Sequence, residues 1–387
     1  MNFPPAPLED WMRQYYFSAR IDIGSSGVEN FSLGELRALF GITQDELDEV
    51  VFRDSLTLGD EGLRKAIARR WHDGDPESVM VTHGSSEAIY LIMNALLRSG
   101  DEVVVLDPSY PQLNSTALGI GCNLKRWGLQ AEENFVPDIA TARKLIGSRT
   151  RMVVVNFPHN PTGASISVSE QTALINAAAE VGAYLFWDSA FADITYNHSP
   201  LSPPGLQYER SISIGTLSKA YGLPGLRVGW CIATPDVLAR AVQLRDYVTL
   251  HLSPLVELIA RRTIEGADEL LSIRRQQART NLEILSAWAN NHQGLVKWVP
   301  PQGGVCAFLG LPRVPDVEVF CHHLAQTDGV LLVPGTCFNY PGHVRLGFGG
   351  ATSQLTEGLA CLSNSLKSGK FRTGREVTFT EVTSEGC

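Results

Sequence analysis

From about residue 79 onward, short apolar runs rich in β-branched residues alternate with longer amphipathic stretches. Several runs, such as MVVVNF at 152–157, are apolar at consecutive positions, which is typical of parallel strands buried on both faces. This alternation predicts an α/β fold in which helices cover a mostly parallel sheet through right-handed crossovers. The predicted strands are 79–84, 101–108, 123–127, 151–158, 183–190, 211–218 and 226–233. The predicted helices are 85–98, 138–147, 169–182 and 235–249.

The last third of the chain has a different pattern. Residues 255–292 are rich in Leu, Arg and Glu at helical spacing, which predicts one long helix. A second helix near 316–328 and the apolar runs GVLLVPG and HVRLGF follow, which together predict a smaller α+β domain. We therefore divide the chain into an N-terminal segment that joins the small domain, a large domain, a small domain and a polar tail that we expect to be frayed. The predicted boundaries are 1–36, 37–254, 255–367 and 368–387.

Composition and charge narrow the possible functions. The chain is 44% hydrophobic and 19% charged, which is ordinary for a soluble globular enzyme. A net charge of −9 without a basic cluster argues against nucleic acid and against anionic membranes as partners. No apolar run approaches the roughly 18 residues of a membrane span, and the N-terminus lacks a signal-peptide pattern, so we expect a cytoplasmic protein. The seven cysteines are scattered and never form CxxC, which favours free thiols over a structural zinc site.

Polar residues follow the predicted strands at the edge of the sheet where ligands bind in open α/β folds. Lys219 is notable because it comes directly after a strand and opens a Gly/Pro-broken stretch, a setting that a solvated lysine does not need. A pyridine aldehyde phosphate requires a lysine amine for a Schiff base and a carboxylate for the ring nitrogen. Its phosphate requires hydroxyls, an arginine and the amide groups of a helix start. The strand ends of this chain carry all of these groups.

Six motifs occur in the order found in fold-type I enzymes of the class I/II aminotransferase superfamily, which depend on pyridoxal 5'-phosphate (PLP). They are VTHGSSEA, DPSYP, NFPHNPTG, WDSAF, GTLSKAYGLPGLRVGW and HVRLGF. The resemblance runs from about residue 20 to 365. It implies PLP as the cofactor, an amino acid as a small-molecule substrate, and a homodimer with active sites at its interface.

The resemblance also implies roles for individual residues. Lys219 resembles the Schiff-base lysine that also moves the α-proton, and Asp188 resembles the carboxylate that pairs with the pyridine nitrogen. Asn160 resembles the donor to the ring's phenolic oxygen, and Tyr110 the aromatic residue stacked on the ring. The residues that match the phosphate site are Ser85, Ser86, Thr216, Ser218 and Arg227.

Arg345 resembles the arginine that binds the substrate's α-carboxylate, and Gly27 matches the glycine whose backbone approaches that group. Each assignment has a simpler structural alternative. Asp188 is also a possible helix N-cap, Tyr110 a core residue, and Arg345 a surface ion-pair partner. Ser85 and Ser86 are possible caps of the following helix, although a cap and a phosphate use the same free amide groups.

Two positions depart from the common pattern of the superfamily. Phe191 occupies a position where many aminotransferases carry a tyrosine that donates to the ring's phenolic oxygen. The stretch FRDSLTLGDEGLR has no clear equivalent of the tyrosine that reaches the phosphate of the partner subunit. Both departures put ordinary transamination in question.

Stretches outside the cofactor motifs, including PLEDWMRQYYF and IGSSGVENFSLGELRALF, resemble the hydroxyarginine cyclases of natural-product biosynthesis within this superfamily. That resemblance implies dehydrative ring closure of 4-hydroxy-L-arginine to L-enduracididine or of 3-hydroxy-L-arginine to capreomycidine. The Ile, Asn and Lys content of the chain favours the first. A guanidinium substrate requires a carboxylate; we predict Glu9, with Asp10 as an open alternative and Ser25 and Ser26 as neutral acceptors. An ordinary aminotransferase is the main rival, while a PLP-binding regulator or a silent scaffold fits poorly.

Overall fold

The computed structural model describes residues 3–369, so most of the predicted tail lies outside the described residues. The strands are β1 Ile21–Asp22, β2 Val79–His83, β3 Glu102–Asp107, β4 Asn123–Gly128, β5 Thr150–Asn156, β6 Tyr184–Asp188, β7 Ser211–Thr216, β8 Val228–Ile232, β9 Cys306–Gly310, β10 Val330–Leu331, β11 Val333–Pro334 and β12 His343–Gly347. The α-helices are α1 Pro7–Tyr15, α2 Leu33–Phe40, α3 Gln44–Asp48, α4 Glu61–Trp71, α5 Gly84–Leu96, α6 Pro111–Ile120, α7 Ile139–Leu145, α8 Val168–Glu180, α9 Pro235–Arg245, α10 Pro254–Glu265, α11 Ala267–Asn290, α12 Val317–His323 and α13 Thr352–Ser368.

A seven-stranded sheet lies between two hydrophobic cores and contributes alternate side chains to each of them. Its strand order is β2-β8-β7-β6-β5-β3-β4, and β8 runs antiparallel to both of its neighbours while the other pairs are parallel. Strands β6, β7 and β8 are buried along their whole length, which explains the nearly continuous apolar runs of β6 and β8 and the small side chains between the isoleucines of β7. The predicted α/β fold with a mostly parallel sheet is therefore confirmed.

The prediction of one long helix over 255–292 was wrong. The structure has two helices there, α10 and α11, which meet at Gly266. A Cβ atom at this glycine would lie 2.5 Å from the Phe40 ring, so α2 packs directly against the junction. This contact comes from a distant part of the chain, so helical periodicity within 255–292 does not reveal it. Helix α6 was not predicted either, although Pro111 at its first turn is a usual helix start.

The remaining strands form two smaller sheets. Strands β11, β12 and β9 are antiparallel, and β1 pairs in parallel with β10. The β1–β10 pair joins the N-terminal segment to the region that we predicted as the small domain. The domain boundaries themselves remain a prediction.

Residues 22–28 run between β12 and the loop that carries Lys219. The Gly347 amide donates to Ile23 O at 2.9 Å on one side, and the Val28 amide donates to Lys219 O at 3.2 Å on the other. The spacing is too small for side chains: a Cβ at Gly347 would lie 1.7 Å from Ser25 O. Glycine at this position thus lets the N-terminal segment reach the centre of the molecule.

Other sequence expectations concern features outside the core. None of the described helices is long and apolar enough to cross a membrane. Six of the seven cysteines lie within residues 3–369 and carry free thiols, whereas Cys387 lies outside the described residues. Within the same range no group of three or more His, Cys, Asp or Glu side chains is arranged to hold a metal ion.

We predict that Gly347→Ala destabilises the fold strongly, because the new methyl group overlaps the Ser25 carbonyl and forces the backbone to move. The free energy of unfolding should fall by about 3 kcal/mol in urea titrations followed by circular dichroism. Gly147→Ala is the control, since nothing lies within 4 Å of its added Cβ, and its effect should stay within about 0.5 kcal/mol. Equal stabilities for the two variants would contradict the close approach.

Candidate active site

A cavity of about 710 Å³ opens beyond the C-terminal ends of the parallel strands. It is the site that the strand-end argument predicted. Every site residue named from the sequence lines it: Glu9, Ser25, Ser26, Gly27, Ser85, Ser86, Tyr110, Asn160, Asp188, Thr216, Ser218, Lys219, Arg227 and Arg345. Their individual roles are developed below as proposals from the contacts that each one makes.

Asp188 is the last residue of β6 and is buried. Burial raises the pKa of its carboxyl to about 6, although a hydrogen bond from the Ala190 amide and the charge of Lys219 both lower it. Its Oδ1 accepts that amide hydrogen at 2.9 Å within a turn, and no helix begins there, so the N-cap alternative does not apply. A buried carboxyl of this kind fits a protonated ring nitrogen, which would favour its charged form.

Lys219 lies three residues beyond β7 on the cavity wall. Burial of the amine, together with the positive charges of Arg345 and Arg227, lowers its pKa to about 8, while Cys306 and Asp188 act in the opposite direction. The amine donates a hydrogen bond to Ser26 Oγ at 2.9 Å. A lysine that is neutral in a large fraction of molecules near pH 8 can act as a nucleophile and as a base.

Asn156 is a cavity residue to which sequence reasoning assigned no role. Its side-chain amide donates to Asp188 O at 3.0 Å, and its Oδ1 accepts from the Asn160 amide at 2.8 Å. Asn160 Oδ1 in turn accepts from Arg345 at 3.3 Å. This chain of contacts ties the ends of β5 and β6 to the middle of β12. The feature of the sequence that could have identified Asn156 is its position at the end of a buried strand.

The first turn of α5 forms the candidate phosphate site. No side chain caps this helix, so its first amide groups have no side-chain acceptor, and Ser85 and Ser86 lie within the turn rather than at the cap. The Arg227 guanidinium packs on Gly84, where a Cβ would lie 2.7 Å from Nη2. Thr216 Oγ1 and Ser218 Oγ lie 3.0 Å apart in the same wall. Amide groups, hydroxyls and a guanidinium at one helix start fit a phosphate.

Tyr110 begins α6 and faces the cavity with its ring. Its hydroxyl donates to Glu9 Oε1 at 3.0 Å. Burial and the neighbouring Glu9 carboxylate raise the pKa of this tyrosine well above its ordinary value, so it stays protonated at neutral pH. The residue expected to stack on the cofactor is therefore joined to the residue expected to bind the guanidinium.

Arg345 on β12 is only 2% exposed. It donates to Gly24 O at 2.9 Å and to Asn160, and it has no carboxylate partner within the described part of the chain. Its Nε hydrogen has no partner there either. The surface ion-pair alternative is therefore wrong, and the buried guanidinium fits the carboxylate of a bound amino acid.

Helix α1 brings Glu9 to the cavity. It is held in place by Trp11, which donates to Leu332 O at 3.0 Å, and by a hydrogen bond between Tyr15 and His322. Asp10, the open alternative, does not line the cavity; it pairs with Arg13, whose largely exposed side chain does reach the cavity lining. The structure thus favours Glu9 over Asp10 as the residue that faces a ligand.

Two other carboxylates on the cavity wall are already engaged. Asp22 accepts the amide hydrogens of Gly24 and Ser25 at 2.9 and 2.8 Å. Glu29 accepts from Gln277 at 2.6 Å and lies 3.6 Å from Arg274. Glu9 accepts from the neutral Tyr110 hydroxyl and has no cationic partner among the described residues, so it is the carboxylate best placed to receive a cationic side chain.

The residues present fit PLP: a buried carboxyl for the ring nitrogen, an aromatic ring, an amine and a phosphate site share one cavity. When bound, PLP supplies an electron sink for a carbanion at the substrate's Cα. Phe191 also lines the cavity, beside Gly304. Its ring has no donor, so this position offers the phenolic oxygen no hydrogen bond.

Comparisons with known proteins agree with this arrangement. The family model for Aminotransferase class I and II matches residues 48–362. The chain is 47% identical over 365 residues to capreomycidine synthase from Streptomyces vinaceus, which covers 94% of each protein. Among solved structures, the PLP-dependent cyclase OrfR matches with a TM-score of 0.91 and 43% identity, over 95% of this chain and 98% of that one.

A PLP-dependent aminotransferase from Streptococcus suis matches with a TM-score of 0.90 and 30% identity, over 97% of this chain and 100% of that one. The family match covers far more than half of the sequence, and the two most similar of these proteins carry cyclase or synthase names. The chain therefore belongs to the class I and II aminotransferase family, as a PLP-dependent enzyme on its cyclase branch.

Proposed function

We propose that this enzyme closes a hydroxy-L-arginine into a cyclic guanidino amino acid with loss of one water. The observation that carries the proposal is the pairing of charges in the cavity. Arg345 offers a buried guanidinium for an α-carboxylate, and Glu9 offers a carboxylate for a guanidinium at the other end of the same molecule. The similarity to capreomycidine synthase over nearly the whole chain supports the same chemistry.

The chain's own residues account for the proton and binding steps. Lys219 removes the Cα proton, Asp188 keeps the ring nitrogen protonated, and Arg345 fixes the carboxylate. A β-hydroxyl then leaves directly as water and the guanidine nitrogen bonds to Cβ, giving a six-membered ring. A γ-hydroxyl leaves only after a further proton is lost from Cβ, and attack at Cγ gives a five-membered ring. In both routes the amino group stays on the substrate.

Between the two routes we retain 4-hydroxy-L-arginine and L-enduracididine as the proposed substrate and product, on the composition of the chain. A specific observation favours the second candidate, 3-hydroxy-L-arginine to capreomycidine, namely the 47% identity to capreomycidine synthase. Ordinary transamination is the third possibility. It differs from both because it requires a 2-oxo acid and removes the amino group.

We also propose that the enzyme works as a homodimer. Residues 51–56 and 247–251 are joined by a contact of 3.1 Å between His251 and Asp54 and form an apolar patch. Its exposed side chains are Val51, Phe52, Leu56, Tyr247, Val248 and Leu250. Among them Phe52 is 75% exposed and Tyr247 is 92% exposed. This patch adjoins the phosphate site, because Thr249 hydrogen-bonds Glu87 in the first turn of α5. A second copy of the chain would bury it, as the family's interface active sites imply.

We predict that Glu9→Gln weakens turnover of hydroxyarginine much more than it weakens cofactor binding. Loss of the charge removes the attraction for the guanidinium, and we expect kcat/KM to fall about 100-fold or more. Steady-state kinetics and the visible absorbance of the bound cofactor measure the two effects. The control is Asp10→Asn, because Asp10 lies next to Glu9 but pairs with Arg13 on the surface. Equal kinetics for both variants would refute the assignment.

We predict a product with the mass of the substrate minus one water, formed without a 2-oxo acid. Reaction in deuterated water then separates the routes. The γ route breaks a Cβ–H bond and later returns a proton there, so deuterium should enter at both Cα and Cβ. Label at Cα alone, with a six-membered ring, would replace the enduracididine proposal with capreomycidine. A 2-oxo acid product without a ring would contradict both.

We predict that Phe52→Glu converts a dimer into a monomer, because it places a charge inside the proposed interface. Light scattering after gel filtration should show the mass fall by half, with weaker retention of PLP. Val168→Glu is the matched control, since Val168 is 67% exposed at the start of α8, outside the patch. A wild-type monomer, or a Phe52→Glu variant that stays dimeric, would count against the proposed interface.

A further inference from the structure

The hydrogen bond between Lys219 and Ser26 was not expected from the sequence. We predicted that Ser26 would accept a hydrogen bond from the substrate's guanidinium. In the structure its Oγ instead receives the Lys219 amine at 2.9 Å. Ser26 is the only hydrogen-bond partner of this amine among the described residues, 3–369. Neighbouring Ser25 lines the same cavity without a side-chain partner of this kind, so it remains the candidate for the substrate.

Ser26 is held rigidly enough to direct that amine. It is 6% exposed, and its backbone lies between two close contacts. On one side Asp22 Oδ1 accepts the amide hydrogens of Gly24 and Ser25, and on the other the Val28 amide donates to Lys219 O. A Cβ at Gly27 would lie 3.2 Å from Ser218 O, so the two segments touch through their backbones.

A hydroxyl suits an amine that changes its protonation state. Ser Oγ accepts from an ammonium N–H, and after rotation of its own hydrogen it donates to the lone pair of the neutral amine. A carboxylate in its place would only accept, and would therefore hold the lysine in its charged form. The serine can thus keep the same amine in the same position before and after a proton transfer.

We propose that Ser26 is a positioning residue that holds the Lys219 amine in the cavity in both of its protonation states. This inference concerns how the base of the proposed function works, and it rests on that function for its role in turnover. The other groups that face the amine are Asp188, Cys306, Arg227 and Arg345. None of them both donates and accepts at neutral pH as readily as a serine hydroxyl.

The first test needs no substrate. Hydrogen bonds to charged groups are stronger than bonds between neutral groups, so Ser26 favours the ammonium form on balance. In Ser26→Ala the pKa of Lys219 should fall by about one unit, from about 8 toward roughly 7. At pH 7 the neutral fraction, and with it the rate of acetylation by acetic anhydride, should rise about fivefold. Mass spectrometry of the Lys219 peptide from the full-length chain stripped of PLP measures this rate across pH.

Ser25→Ala is the matched control and should leave the acetylation profile of Lys219 unchanged. Ser26→Thr, which keeps the hydroxyl, should restore the wild-type profile, and Ser26→Cys, which keeps the shape with a weak acceptor, should resemble Ser26→Ala. These two variants decide the question if Ser26→Ala does not fold. An unchanged profile in Ser26→Ala or Ser26→Cys, or the same shift in Ser25→Ala, would overturn the proposal.

The second test uses the PLP-loaded enzyme. Exchange of the substrate's Cα hydrogen in deuterated water should slow about tenfold in Ser26→Ala while KM changes little, because the base is misplaced and the substrate contacts remain. Unaltered exchange would also overturn the proposal. The acetylation result does not depend on which product forms, so it tests the role of Ser26 independently of the cyclisation chemistry.

Discussion

The structure depends on two opposite charges that are buried at the ends of neighbouring strands. Burial shifts both toward neutrality, raising the pKa of Asp188 to about 6 and lowering that of Lys219 to about 8. The direction in which each group changes the free energy of unfolding with pH follows from the linkage between proton binding and folding. Because the folded pKa of Asp188 is raised, its contribution to stability falls as pH rises from about 4 to 6. Because that of Lys219 is depressed, its contribution falls as pH drops from about 10.5 to 8. Between pH 6 and 8 both groups are charged, so the fold bears the full free-energy cost of removing each charge from water.

A protein keeps such a pair when the charges are needed at that place. The register of the sheet fixes both positions: Asp188 lies opposite Ile214 on β7, and β7 ends two residues beyond that pairing, just before the loop that carries Lys219. The pair fits PLP, whose ring nitrogen and aldehyde are suitable partners for a buried carboxyl and a buried amine. To select an amino acid, the same cavity then needs one group that binds the substrate's carboxylate and one that binds its side chain. Arg345 and Glu9 line the cavity and suit these two tasks.

Sequence reasoning succeeded wherever a local pattern carries the information. Buried parallel strands show as continuous apolar runs, and the residues that come after them lie at one edge of the sheet, which is why Asn160, Asp188 and Lys219 share one cavity. The cavity residues of the N-terminal segment and of β12 were named from the family resemblance instead. Sequence reasoning failed where the cause lies in a distant segment. The break between α10 and α11 depends on Phe40, the link from Asn156 to Asp188 crosses two strands, and the contact of Ser26 with Lys219 spans 193 positions.

The N-terminal segment explains how a shared catalytic core can serve a different outcome. The electron sink, its carboxyl and its lysine suit any reaction that begins with loss of the Cα proton. The later steps depend on which group the substrate carries at Cβ or Cγ and on how its side chain is held. Under the proposed function residues 7–28 would supply that control, because α1 brings Glu9 to Tyr110, Ser26 contacts the Lys219 amine and Ser25 lines the same cavity. Phe191 meanwhile gives the ring's phenolic oxygen one donor fewer. If Glu9 binds the guanidinium as proposed, this N-terminal segment would hold the guanidine near the carbon that loses its hydroxyl, and ring closure in place of transamination would follow from that placement.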